Sequence, residues 1–181
     1  MLKLLGLLAI AVVVAIAGIL VWAATRPDDF RVERRADIKA PPEKIFAEIN
    51  DFHNWVNWSP YEKWDPAMAR NLSGAASGKG AIYEWQGTGK VGQGRMEILD
   101  ASASKVIIKL DFVKPFPGHN IAEFTMVPAG VPAGDMTTVT WAMSGPSPYI
   151  AKVMGIFFNM DKMIGGDFEA GLANLKAVAE K

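Results

Sequence analysis

The pattern of apolar and polar positions divides this chain into a long uncharged segment and a patterned remainder. Every residue from Leu4 through Ala24 is uncharged, with Lys3 before the segment and Arg26 after it. A helix of that length spans about 31 Å, close to the roughly 30 Å hydrocarbon core of a bilayer. The segment predicts a single-pass transmembrane helix. We assign residues 1–27 to this anchor and its joint, and residues 28–181 to one folded domain.

A cleaved signal peptide and a buried soluble helix are the alternatives for the apolar segment, and both stay open. A signal peptide is also apolar, and Val21 and Ala23 supply small residues at a spacing that a signal peptidase accepts. However, the run exceeds the apolar core of roughly 7 to 15 residues that signals usually have. Length therefore favours the uncleaved anchor.

The side of the membrane on which the domain lies is not determined by the charges. More basic residues follow the segment than precede it, since Lys3 stands alone against Arg26, Arg31, Arg34, Arg35 and Lys39. The positive-inside rule would then keep the domain in the cytoplasm. A short basic start before a long apolar run instead resembles an exported signal anchor. The two arguments conflict, and the sequence leans only slightly to an exported, periplasmic domain.

The middle of the domain alternates apolar and polar residues with period two, which is typical of strands that bury one face. A first strand is predicted over residues 30–39, and five further alternating segments lie within 83–85, 92–98, 106–112, 122–126 and 139–143. Their connections are short, so the strands should form an antiparallel sheet of about six to seven strands.

Two regions have helical spacing instead. Pro41 and Pro42 end the first strand, and two short helices are predicted after it, one over residues 45–49 and one over residues 52–58. From Ser147 onward, apolar residues recur every three or four positions, which predicts one long amphipathic terminal helix.

Gly165 and Gly166 interrupt the apolar pattern of this terminal helix and are expected to bend it. The helix and the sheet each have one apolar face, and packing them together covers both faces. The predicted fold class is therefore α+β, with a curved antiparallel sheet wrapped on the long C-terminal helix.

This order of elements resembles the START-like, helix-grip superfamily, also called SRPBCC. Residues Ile38 to Pro66, IKAPPEKIFAEINDFHNWVNWSPYEKWDP, resemble the opening of its polyketide cyclase/dehydrase-like members. Residues Gly78 to Ile98, GKGAIYEWQGTGKVGQGRMEI, resemble their central hairpin. The resemblance extends over residues 30–180 and implies a hydrophobic cavity gripped between the sheet and the long helix. It is specific for the fold and not for the function, since relatives include lipid carriers, ligand receptors and cyclases.

Composition excludes several classes of function. The 19 basic and 19 acidic residues cancel, so the chain has no overall field that would attract nucleic acid. The chain contains no cysteine, which removes disulfides, thiolate nucleophiles and cysteine-based metal sites. We expect no nucleic-acid partner, no metal and no cofactor.

The motifs with potential chemistry have simpler structural interpretations. Gly87, Gly89 and Gly92 match a GxGxxG pattern, but they join two predicted strands, so a hairpin turn is the better interpretation. His53 and His119 have no second histidine or cysteine at ligand spacing, which argues against a metal site.

The acidic residues lie mostly on the outward face of the predicted elements, so no catalytic residue is predicted. Asp161, Asp167 and Glu169 on the terminal helix are the exceptions, although a solvated helix face is the usual reason for such acids. Asp65 is interpreted as a helix or turn cap.

Aromatic and methionine side chains are the strongest candidates for a binding site. For any single one, an ordinary core position is the better interpretation, but six tryptophans and nine methionines together suit an adaptable apolar pocket. Trp55 and Trp58 would also suit the bilayer interface. The predicted cavity-lining residues are Trp58, Tyr61, Trp64, Tyr83, Trp85, Met96, Phe112, Phe124, Trp141, Met143, Phe157 and Met160.

The sequence thus favours a membrane-anchored protein that binds or transfers a hydrophobic small molecule or lipid, and its chemistry favours a carrier over an enzyme. A polyketide cyclase/dehydrase-like enzyme acting on an apolar substrate and an accessory module with a self-filled cavity are the alternatives. An enzyme should bring two polar groups to one point, a carrier should have an apolar wall, and a module should lack a pocket of about 300 Å³. Ligand identity and oligomeric state are not determined by the sequence.

Overall fold

The computed structural model describes residues 2–89, 91–130 and 135–181 of the chain. The strands are β1 Asp29–Ile38, β2 Ala69–Gly74, β3 Ala81–Gln86, β4 Gln93–Ser102, β5 Lys105–Lys114, β6 Gly118–Ala129 and β7 Met136–Pro146. The helices are α1 Leu2–Ala24, α2 Pro42–Asn50, α3 Trp55–Trp58, α4 Pro60–Trp64, α5 Tyr149–Phe157 and α6 Met160–Ala179, and a 3₁₀ turn occupies Phe52–Asn54.

The strands form one antiparallel sheet in the order β1-β7-β6-β5-β4-β3-β2. The predicted alternation is confirmed, since Ala81, Tyr83 and Trp85 of β3 are buried while the residues between them are not. Strand β2 has no such alternation and is mostly exposed at the sheet edge, where it pairs with β3. The α+β helix-grip fold is therefore confirmed, with seven strands.

The short helices after β1 are more divided than predicted. The second predicted helix consists of the 3₁₀ turn followed by α3, and α4 is an additional helix. Ser59 separates α3 from α4 with an extended backbone, φ −61° and ψ 128°. A proline at the next position disfavours the helical region for its predecessor, so Pro60 ends one helix and opens the next.

The long C-terminal helix is confirmed as α6, but it begins later than predicted. The helical segment that starts after Ser147 breaks at Phe158, whose backbone is extended at φ −123° and ψ 123°. Asn159 then caps α6, with its side-chain oxygen accepting a hydrogen bond from the Lys162 backbone N–H at 2.8 Å. Asparagine is a preferred N-cap because its side chain satisfies a backbone donor of the first turn. The apolar spacing continues across the break, so periodicity alone did not reveal it.

Helix α6 is continuous through Gly165 and Gly166, and the bend there stays a prediction. Gly165 permits close packing, since a Cβ at this position would overlap the guanidinium of Arg34. That guanidinium donates hydrogen bonds to Asp161 at 2.9 Å and to Glu169 at 2.7 Å. These contacts fix α6 along β1, and they hold the pKa of the Asp161 carboxyl below its ordinary value. Asp161 and Glu169 are thus partners of Arg34.

Helix α1 is long and apolar enough to cross a membrane, a property that a signal sequence shares, and its apolar side chains are exposed over most of its length. Its last turns contact α5, where the Tyr149 hydroxyl donates a hydrogen bond to the Leu20 carbonyl at 2.8 Å. Lys152 of α5 pairs with Asp28 at 2.5 Å, next to the start of β1. The end of α1 and the start of α5 therefore lie side by side.

Gly171 lets α6 approach the sheet. An added Cβ would lie 2.5 Å from Trp141 Cζ3 and 3.1 Å from Pro60 Cδ, both in packed surroundings. We expect Gly171→Ala to lower the free energy of unfolding by about 1–3 kcal/mol, because overpacking outweighs the helix propensity of alanine.

Gly166 is the matched control, since it lies in the same helix and a Cβ added there would have no atom within 4 Å. Gly166→Ala should raise the free energy of unfolding by up to about 1 kcal/mol. Urea unfolding followed by circular dichroism in detergent micelles measures both values. Equal effects from the two alanines would contradict the close approach at Gly171.

Candidate functional site

The space between the sheet and α6 is filled by stacked aromatic rings. Trp141 lies parallel to Phe168 of α6, with ring centroids 4.2 Å apart and an interplanar angle of 11°. On its other side it stacks against Phe124 at 4.9 Å, and its edge meets Trp58 at 5.7 Å. These rings come from α3, β6, β7 and α6, so they join the sheet to the helices.

The indole N–H of Trp141 is buried and has no hydrogen-bond acceptor among the residues that the structure describes. An unpaired buried donor costs free energy, which makes it a point where a bound oxygen atom would be favoured. Glu48 Oε2 and Asn50 Oδ1 are the other buried side-chain atoms without a partner in the described part of the chain, and of the three only Trp141 Nε1 belongs to the stacked rings.

Trp55 and Trp58 are not available to a bilayer. They are 4% and 0% exposed, and their indole N–H groups donate to the carbonyls of Ile49 at 3.0 Å and Glu48 at 3.1 Å. The hypothesis that these two rings enter the membrane interface is wrong, because packing against aromatic neighbours such as Phe124 buries both.

We call the inward-facing rings from Trp58 to Phe112 the aromatic wall. This wall continues along the inner face of β3 to β5. Tyr83 and Trp85 are buried, Trp85 meets Phe112 edge to face at 5.9 Å, and Trp85 donates to the Val91 carbonyl at 2.9 Å. Phe112 is half-buried, as are Leu110 of β5 and Tyr61 of α4. The rings are thus fully buried at Trp58 and half-buried at Phe112.

The predicted cavity-lining residues fall into two groups by exposure. Phe157 and Met160 are 64% and 48% exposed around the break between α5 and α6, and Trp64 is 43% exposed at the end of α4. The others are buried or half-buried on the inner face: Trp58, Tyr61, Tyr83, Trp85, Met96, Phe112, Phe124, Trp141 and Met143. That this second group contacts a ligand stays a prediction.

A buried polar cluster adjoins the aromatic wall. Glu62 of α4 is 7% exposed and accepts hydrogen bonds from the Tyr83 hydroxyl at 2.5 Å and from Arg70 Nε at 2.7 Å. Burial, and then the contact with Glu62, raise the pKa of Tyr83. Burial opposes the charge on Arg70, but its pairing with Glu62 prevails and raises its pKa.

Sequence reasoning did not identify this cluster. Glu62 lies in a five-residue helix, where alternation and helical periodicity carry little information. Its burial follows from the position of α4 over β2 and β3, which only long-range packing decides. A charged residue beside three aromatic residues, Tyr61, Trp64 and Trp58, was the one available signal.

Asp167 is the third acid that the sequence set apart on the terminal helix. Its side chain is half-buried on α6, and partial burial raises the pKa of its carboxyl. Burial, and then the negative charge of Asp167, raise the pKa of Tyr61. A carboxyl and a phenol therefore lie near one another where α4 meets α6.

A small pocket and a larger groove lie on the surface of the described part of the domain, both away from the space between the sheet and α6. One has a volume of about 100 Å³ and is bordered by the 3₁₀ turn, β2 and β3. The other is an open groove of about 420 Å³ along β2, β3 and β4, bordered by outward residues such as Asn71, Glu84 and Arg95. The space that the resemblance assigns to a ligand is occupied in this structure by Trp141, Phe168 and their neighbours.

The remaining motifs have structural roles. Gly87 and Gly92 close the β3–β4 turn through a backbone hydrogen bond of 2.8 Å, as expected for a hairpin. Asp65, which follows α4, accepts hydrogen bonds from the backbone and hydroxyl of Thr88 in this turn at 2.8 and 3.0 Å. His53 pairs with Asp51 and His119 pairs with Asp111. Within residues 2–89, 91–130 and 135–181, no three metal-ligating side chains form a group.

Comparison with known families gives one match over most of the domain. Residues 29–180 match the family described as polyketide cyclase/dehydrase and lipid transport. A search of curated proteins finds no match.

Solved structures with this fold include proteins of several kinds. A protein from Nitrosospira multiformis is 17% identical with a TM-score of 0.60, and the match covers 83% of this chain and 96% of that one. Protein CV1439 from Chromobacterium violaceum is 15% identical with a TM-score of 0.57, covering 86% and 99%. The di-domain ARO/CYC BexL from the BE-7585A biosynthetic pathway is 16% identical with a TM-score of 0.61, covering 89% and 53%. At these identities the similarity concerns the fold alone.

Proposed function

This chain belongs to the polyketide cyclase/dehydrase and lipid transport family, and on that premise we propose that it is a membrane-anchored protein that binds or transfers a hydrophobic small molecule or lipid. The main support for the proposal is the aromatic wall from Trp58 to Phe112, whose rings are fully buried at Trp58 and half-buried at Phe112. Ligand pockets are mostly apolar and contain few polar groups, and this wall has that composition.

Binding requires the interior to open, because the rings of Trp141 and Phe168 fill it in the closed form. The half-buried inward residues of β5, Leu110 and Phe112, are where a ligand would enter. The free N–H of Trp141 favours a ligand that has an apolar body and an acceptor oxygen, such as an ester or a ketone. Helix α1 supports a membrane origin for that ligand.

The cluster of Glu62, Arg70 and Tyr83 favours a second candidate, a cyclase-like enzyme. Three polar groups meet there beside an apolar surface, as general acid–base chemistry requires. They nevertheless bind one another, and the Glu62 carboxylate is held by both partners. The contacts within the cluster thus favour a structural role over a catalytic one. A non-enzymatic carrier remains our proposal.

The filled interior favours the third candidate, an accessory module that binds no ligand because its own side chains occupy the cavity. Native mass spectrometry of the full chain purified in mild detergent distinguishes it from a carrier. The intact mass also reports whether the residues of α1 are retained, as an anchor requires, or removed, as a signal would be.

We expect Phe112→Glu to abolish retention of a co-purified apolar compound, because a carboxylate in the apolar wall must be desolvated when the ligand binds. Val113→Glu is the matched control. Val113 is the next residue of β5, is 50% exposed and borders the groove on the outer face of the sheet. This variant should retain the compound at the wild-type level.

Both variants are compared by native mass spectrometry and by solvent extraction followed by lipid analysis, after circular dichroism has shown that they fold. Wild-type protein without any bound apolar compound, together with no binding of a lipid panel, would overturn the carrier proposal. Loss in both variants would show that the wall at Phe112 is not the binding surface.

A further inference from the structure

Helix α5 presents an apolar stripe that the rest of the described domain does not cover. Ile150, Met154 and Phe157 are 68%, 45% and 64% exposed. Their spacing of four and three residues places them on one face of the helix. We call these three residues the α5 surface.

From the position of this surface we propose that the α5 surface lies in the lipid bilayer beside α1, so that α5 is an interfacial helix. The inference rests on the membrane anchorage that the proposed function includes, and it adds a second membrane contact. Three observations favour lipid as the partner of this surface.

The first reason is depth. The hydrogen bond from the Tyr149 hydroxyl to the Leu20 carbonyl places the start of α5 next to the last turn of α1. Leu20 lies about 6 Å along the axis from Ala24, given 1.5 Å per residue. Interfacial helices bury their apolar faces about 5–10 Å below the headgroup boundary, which is the same depth. Arg26 over the Trp22 ring, 4.3 Å from its centroid, marks the interface at this end of α1.

The second reason is charge. Lys152 is the one charged residue of α5, and its side chain is only 7% exposed while it pairs with Asp28. The pair draws the ammonium toward the joint between α1 and β1 and away from the stripe. The α5 surface therefore contains no charge that would have to be desolvated in lipid.

The third reason is the geometry of the sheet end. Four residues, 25–28, join α1 to β1, so the start of β1 lies within about 18 Å of the end of α1. The β5–β6 turn is at the same end, because Asp29 pairs with Pro146, Ile121 with Ser144 and Phe112 with Gly118. Phe116 in that turn is 78% exposed. The apolar groups at this end thus lie toward the membrane.

The absence of cysteine from the chain permits a direct test with single nitroxide labels. Full-length variants Ile150→Cys, Met154→Cys and Phe157→Cys are labelled and reconstituted into phosphatidylcholine vesicles. Ile10→Cys in α1 is the lipid control. Val127→Cys, which is 57% exposed at the opposite end of β6, is the aqueous control. Collision with oxygen reports lipid, and collision with a water-soluble nickel chelate reports water.

We expect the ratio of oxygen to nickel accessibility at the three α5 positions to lie well above that at Val127 and to approach that at Ile10. Adding phosphatidylglycerol or salt should leave the ratio unchanged, because insertion is apolar. Water-accessible α5 labels with a lipid-accessible Ile10 label would overturn this inference and leave the anchor in place. Low accessibility to both reagents at α5 would also overturn it, in favour of a contact with protein. A water-accessible Ile10 label would overturn the membrane anchorage itself.

Discussion

Trp141→Ala is expected to lower the free energy of unfolding by about 3–5 kcal/mol, the range for deleting a large aromatic core residue. Trp141 is 3% exposed and contacts Phe168, Phe124 and Trp58, so alanine leaves a cavity that the sheet and α6 share. Urea unfolding in detergent micelles, followed by circular dichroism, measures the loss. Binding of a small apolar probe such as benzene to the variant would report the cavity directly.

Trp141→Phe is the matched control. It keeps a ring against Phe168 and removes the indole N–H, which has no acceptor among the described residues. Deleting an unsatisfied donor recovers part of the packing loss, so the cost should be below about 1.5 kcal/mol. A cost for phenylalanine as large as that for alanine would contradict the stacked arrangement. It would also show that the N–H has a partner.

Arg70→Met is expected to lower the free energy of unfolding by about 3 kcal/mol, because it leaves the Glu62 carboxylate buried without its cation. The Glu62 side chain is only 5% exposed and lies 2.7 Å from Arg70. Arg95→Met is the matched control, since Arg95 pairs with Glu97 at 2.8 Å but both side chains are about a third exposed, 31% and 33%. That change should cost less than about 1 kcal/mol. The same unfolding experiment measures both variants.

A double variant separates lost charge from lost packing. Glu62→Gln in the Arg70→Met background removes the buried charge and leaves an acceptor for the Tyr83 hydroxyl. Its stability should lie closer to wild type than that of Arg70→Met alone. If the two changes are simply additive, Glu62 and Arg70 are not coupled, and their role as a buried pair is wrong.

Two features were predictable because they depend on local residue order. Strands with one buried face need period two, and residues such as Val106 and Ile108 supply it, so the sheet was predictable. An apolar helix long enough for a bilayer needs only about 20 uncharged residues, and the segment to Ala24 supplies them.

The candidate site was predictable only in part. The aromatic wall follows from the same alternation that predicts the strands, which is why Tyr83, Trp85 and Trp141 were chosen correctly as inward residues. Whether an inward-facing residue packs in the core or lines a cavity depends on the distance between the sheet and α6. That separation is set by Gly171 and by the Arg34 contacts of α6, and no local pattern encodes it.

Two further positions show the limit of local rules. Phe157 and Met160 continue the apolar spacing of the terminal helix, yet they are exposed on either side of the break at Phe158 and Asn159. Glu62 is charged, yet it is buried, because α4 carries it onto Tyr83. Periodicity misses the first because a helix cap interrupts it, and the second because a tertiary contact overrides it.

Residue order alone was enough to predict the membrane-length helix, the α+β class, the antiparallel strands and the apolar character of their inner face, since periodicity and length are local properties. Long-range packing set which aromatic residues fill the interior, which acids are paired and which apolar surface is left beside α1. Those outcomes depend on contacts between distant positions, such as Arg34 with Glu169, 135 residues apart, and Tyr149 with Leu20, 129 residues apart. Only the folded chain brings such positions together.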